Sequence, residues 1–463
     1  MSKKEKVVIG DEGIYDARKL GVPRMLVLGF QHMFAMFGAT VLVPLLTGLD
    51  VATTLLMAGL GTLLFHVLTK FKVPAFLGSS FAFLGGYAAV APAAGADGMT
   101  QKELLPYACL GVACAGLVYL VLALVIKLVG ITKVMRFFPP VVTGPIIIAI
   151  GLGLSGSAVN NCAANWPLAV IALAIVVVFN IWGKGMFKIV PILLGVVGSY
   201  VIAIVVGNLC GVEAWAIDFT AVKEAAWIGL PFKAEATILG VDWSKTGLII
   251  GAIIGIMPIA LATMMEHIGD ISAIGATVGK NYIKDPGLHR SLMGDGLATT
   301  VASLVGAPAN TTYGENTGVL ALSKVYDPKV IRIAAVIAVA FSFSPKFAAL
   351  VSSIPTAVIG GISFVLYGMI SAIGVRNVVE AKVDFTKSRN LIVAAIILVS
   401  ALGLGSAATF TIGNVTIALS ALAVASIAGI VLNAVLPGKD YVFTEDEPKD
   451  TGVNFEITGG NKE

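Results

Sequence analysis

Charge is what this chain is short of. Asp, Glu, Lys and Arg make up 13% of its 463 residues, against roughly 25% in soluble domains, so it cannot cover a water-facing surface of ordinary kind. Its net charge of +4 comes without a basic block, and no nucleic-acid partner is implied. Cysteines are few. Cys109, Cys114, Cys162 and Cys210 show no ligand-like spacing, which argues against a disulfide framework or a metal site and for small core residues. Neither HExxH nor GxSxG occurs, so the chain lacks the commonest hydrolytic motifs and is not expected to be an enzyme. No lysine-flanked cleavable leader precedes the first apolar run. The expectation is a retained, cytoplasmic N-terminal tail, and no cofactor or metal is called for.

Apolar residues, by contrast, are 57% of the chain, and mean hydropathy is +0.94. Runs long enough to cross ~30 Å of hydrocarbon recur almost throughout, which defines an all-α polytopic membrane protein. Fourteen spans are expected, near 25–47, 51–69, 80–96, 105–129, 139–157, 166–182, 187–209, 247–268, 291–306, 312–325, 329–345, 355–373, 388–404 and 412–435. With both termini inside, 26 of the 31 Lys and Arg fall on the cytoplasmic side, leaving Lys102, Lys223, Lys233, Lys245 and Lys346 outside. That is the charge asymmetry that orients membrane proteins. The longest outer loop, 210–246, carries Trp215, Trp227 and Trp243, which suit a membrane-interface belt, and it divides the spans seven and seven.

Seven is odd, so a second half that repeats the first must enter the membrane upside down, the plan of many secondary transporters. Two echoes support a 7+7 inverted repeat. PPVVTG from Pro139 opens span 5, and PTAVIG from Pro355 opens span 12. Spans 3 and 10 are each short and interrupted, reading VPAFLGSSFAFLGG from Val73 and VGAPANTTYGENTG from Val305. Backbone broken in this way is tolerated at membrane depth only beside protein or a water-filled cavity. Each is therefore expected to be a short extended stretch followed by a half-helix, whose N-terminus offers N–H donors.

Three carboxylates stand out in these apolar stretches: Glu266, Asp270 and Glu315. An acid at the bilayer centre costs roughly 2.5 to 3.5 kcal/mol even on lenient scales, so it marks a polar site. Glu266 and Asp270 are four residues apart and share a helix face. Two like charges there repel, and a proton held by one relieves the repulsion, as a proton-coupling site requires. The bland alternative puts Asp270 in water at the end of span 8. His66 and His267 read as packing or interfacial residues, and His289 as a loop residue.

Five strings, QHMFAMFGATVLVP from Gln31, PAFLGSSFAF from Pro74, MMEHIGD from Met264, DPGLHRSLMGDGLAT from Asp285 and NTTYGENTGV from Asn310, together resemble the nucleobase-ascorbate transporter family over most of residues 24–435. The family's span-10 signature reads Glu315, Asn316, Thr317, Gly318 and then Ser323 where Thr is usual. The resemblance implies a core domain of spans 1–4 and 8–11 (25–129 and 247–345) and a gate domain of spans 5–7 and 12–14 (130–209 and 346–435). An extracellular loop (210–246) and cytoplasmic tails (1–24 and 436–463) complete it. It further implies symport with protons or sodium in the cell membrane, and a homodimer.

Among the family's substrates, uracil is favoured over xanthine or urate, because purine carriers usually have Gln where Glu315 stands. Uracil is flat and neutral, with N–H groups that need acceptors and carbonyls that need donors. Glu266 and Glu315 can accept, and backbone N–H groups at the breaks, around Ser80, Phe81 and Gly314, can donate. By resemblance Phe81, Glu266, Gly314 and Glu315 match the substrate site, and Tyr367 a gate position. His32 and Asn316 are expected to support it, with proton coupling through Glu266, Asp270 or Glu315. A channel would need a continuous polar stripe, whereas these acids cluster at one level.

Overall fold

The computed structural model describes residues 12–90, 98–404, 408–412 and 415–438. Most of the two expected tails, the end of span 3 and two short stretches around 405–414 lie outside the described residues. The first half runs α1 (Val22–Thr47), α2 (Val51–Leu68), β1 (Leu77–Ser79), α3 (Leu84–Ala89), α4 (Gln101–Val129), α5 (Ile131–Met135), α6 (Pro140–Ala163), α7 (Trp166–Trp182), α8 (Met186–Ile189) and α9 (Pro191–Ala203). A loop with the short α10 (Thr220–Glu224) leads to α11 (Thr246–Ile256), α12 (Ala260–Val278), α13 (Leu288–Leu304), β2 (Asn310–Thr312) and α14 (Gly314–Ser323). Then come α15 (Pro328–Ser342), α16 (Pro345–Ser352), α17 (Thr356–Glu380), α18 (Ser388–Gly403), the hairpin strands β3 (Ala408–Ile412) and β4 (Val415–Leu419), and α19 (Ala421–Val435).

Local chemistry sets many of these ends. Pro occupies the first turn of α1, α6, α7, α9, α15 and α16, where its missing N–H costs nothing. Asp50, Asp327 and Ser420 accept hydrogen bonds from first-turn N–H groups of α2, α15 and α19. Thr100 and Glu103 form a reciprocal cap on α4, each such cap contributing about 1 kcal/mol.

Among the described residues, seven helices are long and apolar enough to cross a membrane, and α15 with α16 forms a further pair bent by 89°. Several expected spans need correction. Span 8 does not stop at 268: after a break at Met257–Ile259 the helix continues to Val278, because Ile268, Ile271, Ile274 and Val278 keep one face buried until Gly279 turns left-handed. Asp270 is thus about 12 Å from the helix end at 1.5 Å per residue, and the helix-end reading fails. The start of span 14 is the β3–β4 hairpin instead of helix, as its alternating Thr and β-branched residues favour. Span 12 extends to Glu380. Of the cysteines, Cys109 and Cys162 are buried, but Cys210 is exposed. Trp227 and Trp243 are exposed.

The two interrupted segments meet. β1 pairs antiparallel with β2, Leu77 opposite Thr312 and Ser79 opposite Asn310, each strand leading into a short helix. Around them α4 packs on α13 and α2 on α15, while α6 packs on α17 and α18, and α7 on α17 and α9.

The α6–α17 seam depends on glycine. A Cβ on Gly151 would strike the Tyr367 carbonyl and the Ser371 hydroxyl, whereas one on Gly153 would meet nothing. Gly151→Val should therefore lower stability by about 1–3 kcal/mol, the usual cost of overpacking, and Gly153→Val should leave it nearly unchanged. Thermal unfolding of the two variants in detergent checks this.

Candidate substrate site between the broken spans

Extended backbone inside a helical membrane protein must find partners, and here it does. The Leu77 N–H donates to Thr62 Oγ1 (2.9 Å), the Ser80 N–H to the Ala309 carbonyl (2.9 Å) and the Tyr313 N–H to the Phe76 carbonyl (3.0 Å). The Tyr313 hydroxyl donates to the Ser79 carbonyl (2.8 Å), and Asn310 Nδ2 to the Met57 carbonyl (2.8 Å). Thr62 of α2, and Thr299 of α13 through its hydroxyl donating to the Asn310 carbonyl, thus take up part of what the three-residue ladder leaves over.

Where β2 ends, α14 begins at Gly314 behind Tyr313, which gives no side-chain cap. Its first N–H groups point out of the helix as donors, at the positive end of its dipole. Gly314 is exposed and Glu315 half-buried. On α12, Glu266 and Asp270 are also half-buried, and Gly269 beside them and Gly318 on α14 border open space. Glu266 lies within electrostatic range of Glu315, and Asp270 of both. One carboxyl oxygen of Glu266 and the Ser80 hydroxyl are buried without a hydrogen-bond partner. The structure therefore brings Glu266, Asp270, Gly314 and Glu315 to one place, next to the strand pair.

Phe81 and Tyr367 meet edge to face, 5.9 Å between centroids and 77° between planes. Phe81 also borders a cavity of about 650 Å³ lined by Leu46, Gly85, Gln101, Ser155 and Ser420 among others, but by none of the three acids. The aromatic pair lies between two elements, the strand end and α17. Asn316 is buried and its Nδ2 donates to the His32 carbonyl (3.1 Å). His66 Nε2 holds the Ala75 carbonyl at 2.9 Å, a packing role as expected. The expectation of a free donor at the first break is only partly met, since the Ser80 N–H is spent on Ala309.

Two residues were missed. Asp295, on α13, is fully buried with His267 Nδ1 at 3.4 Å and Thr311 Oγ1 at 3.5 Å from its Oδ2. Its signal is in the sequence: a single acid in LMGDGLATT is as costly in the membrane as Glu266, Asp270 or Glu315. His267 is no packing residue, because its Nδ1 also lies 3.3 Å from Thr312 Oγ1, which donates to Asp270 Oδ2 at 3.1 Å. A polar chain thus joins buried Asp295 to half-exposed Asp270 through His267 and the last residue of β2.

A helical membrane body holding a polar site between two broken, paired segments is the architecture of a permease. The chain belongs to the permease family whose model matches residues 23–435. It is 42% identical over 433 residues to the uracil permease of Bacillus caldolyticus, covering 90% of this chain and 93% of that one. It is 40% identical to the putative pyrimidine permease RutG of Escherichia coli strain K12, covering 91% of each. Its fold resembles the transmembrane domain of the cyanobacterial bicarbonate transporter BicA, at TM-score 0.56, 18% identity and coverage of 90% and 99%. It also resembles SLC26A9, at TM-score 0.63, 14% identity and coverage of 91% and 66%. These last two show the fold alone.

Asp295 offers a test independent of any ligand. Asp295→Leu removes the acceptor shared by His267 and Thr311 and should cost about 1–3 kcal/mol of stability, as for a stranded buried polar group. Asp295→Asn keeps an acceptor and should cost less. Equal unfolding midpoints for Asp295→Leu and wild type would show that the chain of contacts contributes nothing.

Proposed function

We propose that this chain is a secondary active transporter that carries uracil across the cell membrane together with a proton, by alternating access. The observation that carries the reading is the convergence of Glu266 and Glu315 on the open side of the β1–β2 pair, in a chain 42% and 40% identical to two proteins named uracil permease. Acceptors from the glutamates and N–H donors from the start of α14 complement the alternating edge of uracil, with Phe81 against the ring and Tyr367 behind it. Proteins that recognise a ligand by buried hydrogen bonds reject analogues that leave those groups unpaired.

The packing supports a fourteen-span 7+7 inverted repeat. Taking α11 with α12 as span 8, the contacts persist when every span is exchanged for the one seven away. Span 4 on 9 becomes 11 on 2, span 5 on 13 becomes 12 on 6, and span 6 on 7 becomes 13 on 14. Spans 5 on 12 and 3 on 10 map onto themselves. On this reading residues 25–129 with 247–345 form a substrate-holding core, and 130–209 with 346–435 a gate. Both termini lie in the cytoplasm, and a homodimer is the working assembly. The Phe81–Tyr367 contact joins core to gate.

Coupling is assigned to the acids. Uracil is neutral near pH 7, so one accompanying proton moves one charge, worth roughly 2.3 kcal/mol per 100 mV. Asp270, a step further along α12 than Glu266, is assigned to passing the proton and the glutamates to holding the ring.

Uptake of labelled uracil into proteoliposomes should follow an inward proton gradient and collapse with an uncoupler. Uptake that ignores protons and follows sodium would overturn the coupling, and tight binding of xanthine without uracil would overturn the substrate. Glu266→Gln and Glu315→Gln should each weaken uracil binding by about 1–3 kcal/mol, measured by calorimetry, with wild-type affinity in both refuting the assigned site. Asp270→Asn should bind uracil nearly as wild type yet fail to accumulate it, since a permanently neutral side chain cannot gain and lose a proton in each cycle. Unchanged gradient-driven uptake would remove Asp270 from the pathway.

A further inference from the structure

A further cavity, of about 660 Å³, lies away from the substrate site, on the face proposed above as cytoplasmic. Its walls come from four stretches of chain: Tyr15 and Arg18 ahead of α1, Phe71 after α2, Lys280 and Asp285 after α12, and Arg332 near the start of α15. The stretch ahead of α1 is fixed in place. The Tyr15 hydroxyl donates to the Val278 carbonyl (2.7 Å), the Ile14 N–H to the Lys324 carbonyl (2.7 Å) and the Tyr326 N–H to the Ile14 carbonyl (2.8 Å). The wall that it forms is thus held against the ends of α12 and α14.

The charges that face it do not all pair. Arg18 contacts Asp16 (2.9 Å), Lys72 contacts Asp285 (2.6 Å), and Lys329 lies 3.6 Å from Asp327 and 3.7 Å from Asp16. Those are the three acids of the lining. The two other cations, Lys280 and Arg332, each lie over a ring instead, Lys280 Nζ 4.7 Å from the centroid of Tyr15 and Arg332 Cζ 5.0 Å from that of Phe71. Arg332 is in the field of Asp327, whose carboxylate already accepts the Ala17 N–H (2.9 Å) and the Lys329 N–H (2.9 Å). Arg332 Nη1 is buried without a hydrogen-bond partner, and a buried charged donor of that kind calls for an acceptor. Phe71 keeps its position at some cost, because Lys70 (φ 56°) and Phe71 (φ 58°) are successive left-handed residues, a conformation that L-residues avoid.

We propose that this cavity binds a ribonucleoside monophosphate, its phosphate against Lys280 and Arg332 and its base against Phe71 and Tyr15. The phosphate oxygens supply the acceptors that the two cations lack. Phe71 and Tyr15 are each about half exposed and offer ring surface on which a base of any kind stacks. Asp285, the most exposed of the three acids, keeps lone pairs for the ribose hydroxyls. Size favours the whole nucleotide, since the cavity falls in the range of roughly 300–1,000 Å³ usual for small-molecule sites and inorganic phosphate would leave most of it unfilled. No Leu, Ile, Val or Met lines it, so an acyl chain would find no apolar wall.

Calorimetric titration of the full-length chain in detergent tests this, with adenosine 5′-monophosphate as the probe, because its base is not the cargo proposed above and the two sites are then not confused. Wild type should bind it at least roughly tenfold tighter than adenosine or inorganic phosphate, the scale of one charge-assisted or stacking contact. The combined Lys280→Gln and Arg332→Gln variant should lose that advantage over adenosine. Lys280→Gln alone, at an exposed residue beyond α12, should weaken the nucleotide severalfold with an unchanged unfolding midpoint. Phe71→Ala should weaken the nucleotide and leave inorganic phosphate unaffected. A control with the same charge removed elsewhere, at exposed Lys184 and Lys188, should bind as wild type does. Absence of nucleotide binding by wild type would overturn the proposal, as would wild-type affinity in the combined variant or weakened binding in the control. Equal affinity for inorganic phosphate would overturn it in favour of a small anion, and displacement of the nucleotide by phosphatidylglycerol in favour of a lipid headgroup. None of these outcomes depends on which substrate is carried.

Discussion

Everything in this molecule turns on one requirement: backbone that leaves the helix at membrane depth must have every N–H and carbonyl met. Two such segments cannot each solve this alone. Paired as β1 and β2 they exchange three residues' worth of hydrogen bonds, and Thr62, Thr299 and Tyr313 take part of the remainder. The site exists because of that solution. Ending a strand at Thr312 lets α14 start in the interior, and an uncapped helix start is a ready set of donors. Without the ladder there would be no interior helix end, and without that end nothing would balance acids on α12.

The acids follow from the same geometry. Glu266 and Asp270 on one face of α12 look towards Glu315 on the first turn of α14, so negative charge gathers where the half-helix is positive. Asp295 lies behind, linked through His267 and Thr312 to Asp270. Thr312 has two duties, closing the ladder opposite Leu77 and donating to Asp270. The substrate-facing and proton-facing parts of the proposed mechanism therefore share one residue of backbone.

Much of this was legible beforehand, for physical reasons that differ from element to element. The breaks in spans 3 and 10 could be read because Gly, Pro, Ser, Thr and Asn at that density make poor lipid-facing helix, and Glu266, Asp270 and Glu315 because charge is costly there. The reach of α12 was misjudged because Gly269, Asp270 and Ser272 dilute the hydropathy while Ile268, Ile271 and Ile274 preserve the helical face. The β3–β4 hairpin was hidden because an apolar strand pair and an apolar helix have the same composition. Asp295 carries the same cost of a membrane-buried acid, but its partners, and with them the role of His267, depend on Thr311 and Thr312, brought there only by the pairing of distant segments.

The central claim is that the substrate sits between α12 and α14, on the open side of the strand pair. Gly269 and Gly318 border that space, and neither would clash on gaining a side chain. In a background with the four native cysteines replaced, Gly269→Cys and Gly318→Cys should react with a small water-soluble thiol reagent, and saturating uracil should slow both reactions severalfold. In a control background that keeps exposed Cys210 alone, labelling should proceed at the same rate with or without uracil. Labelling at 269 and 318 that is indifferent to uracil would contradict the account.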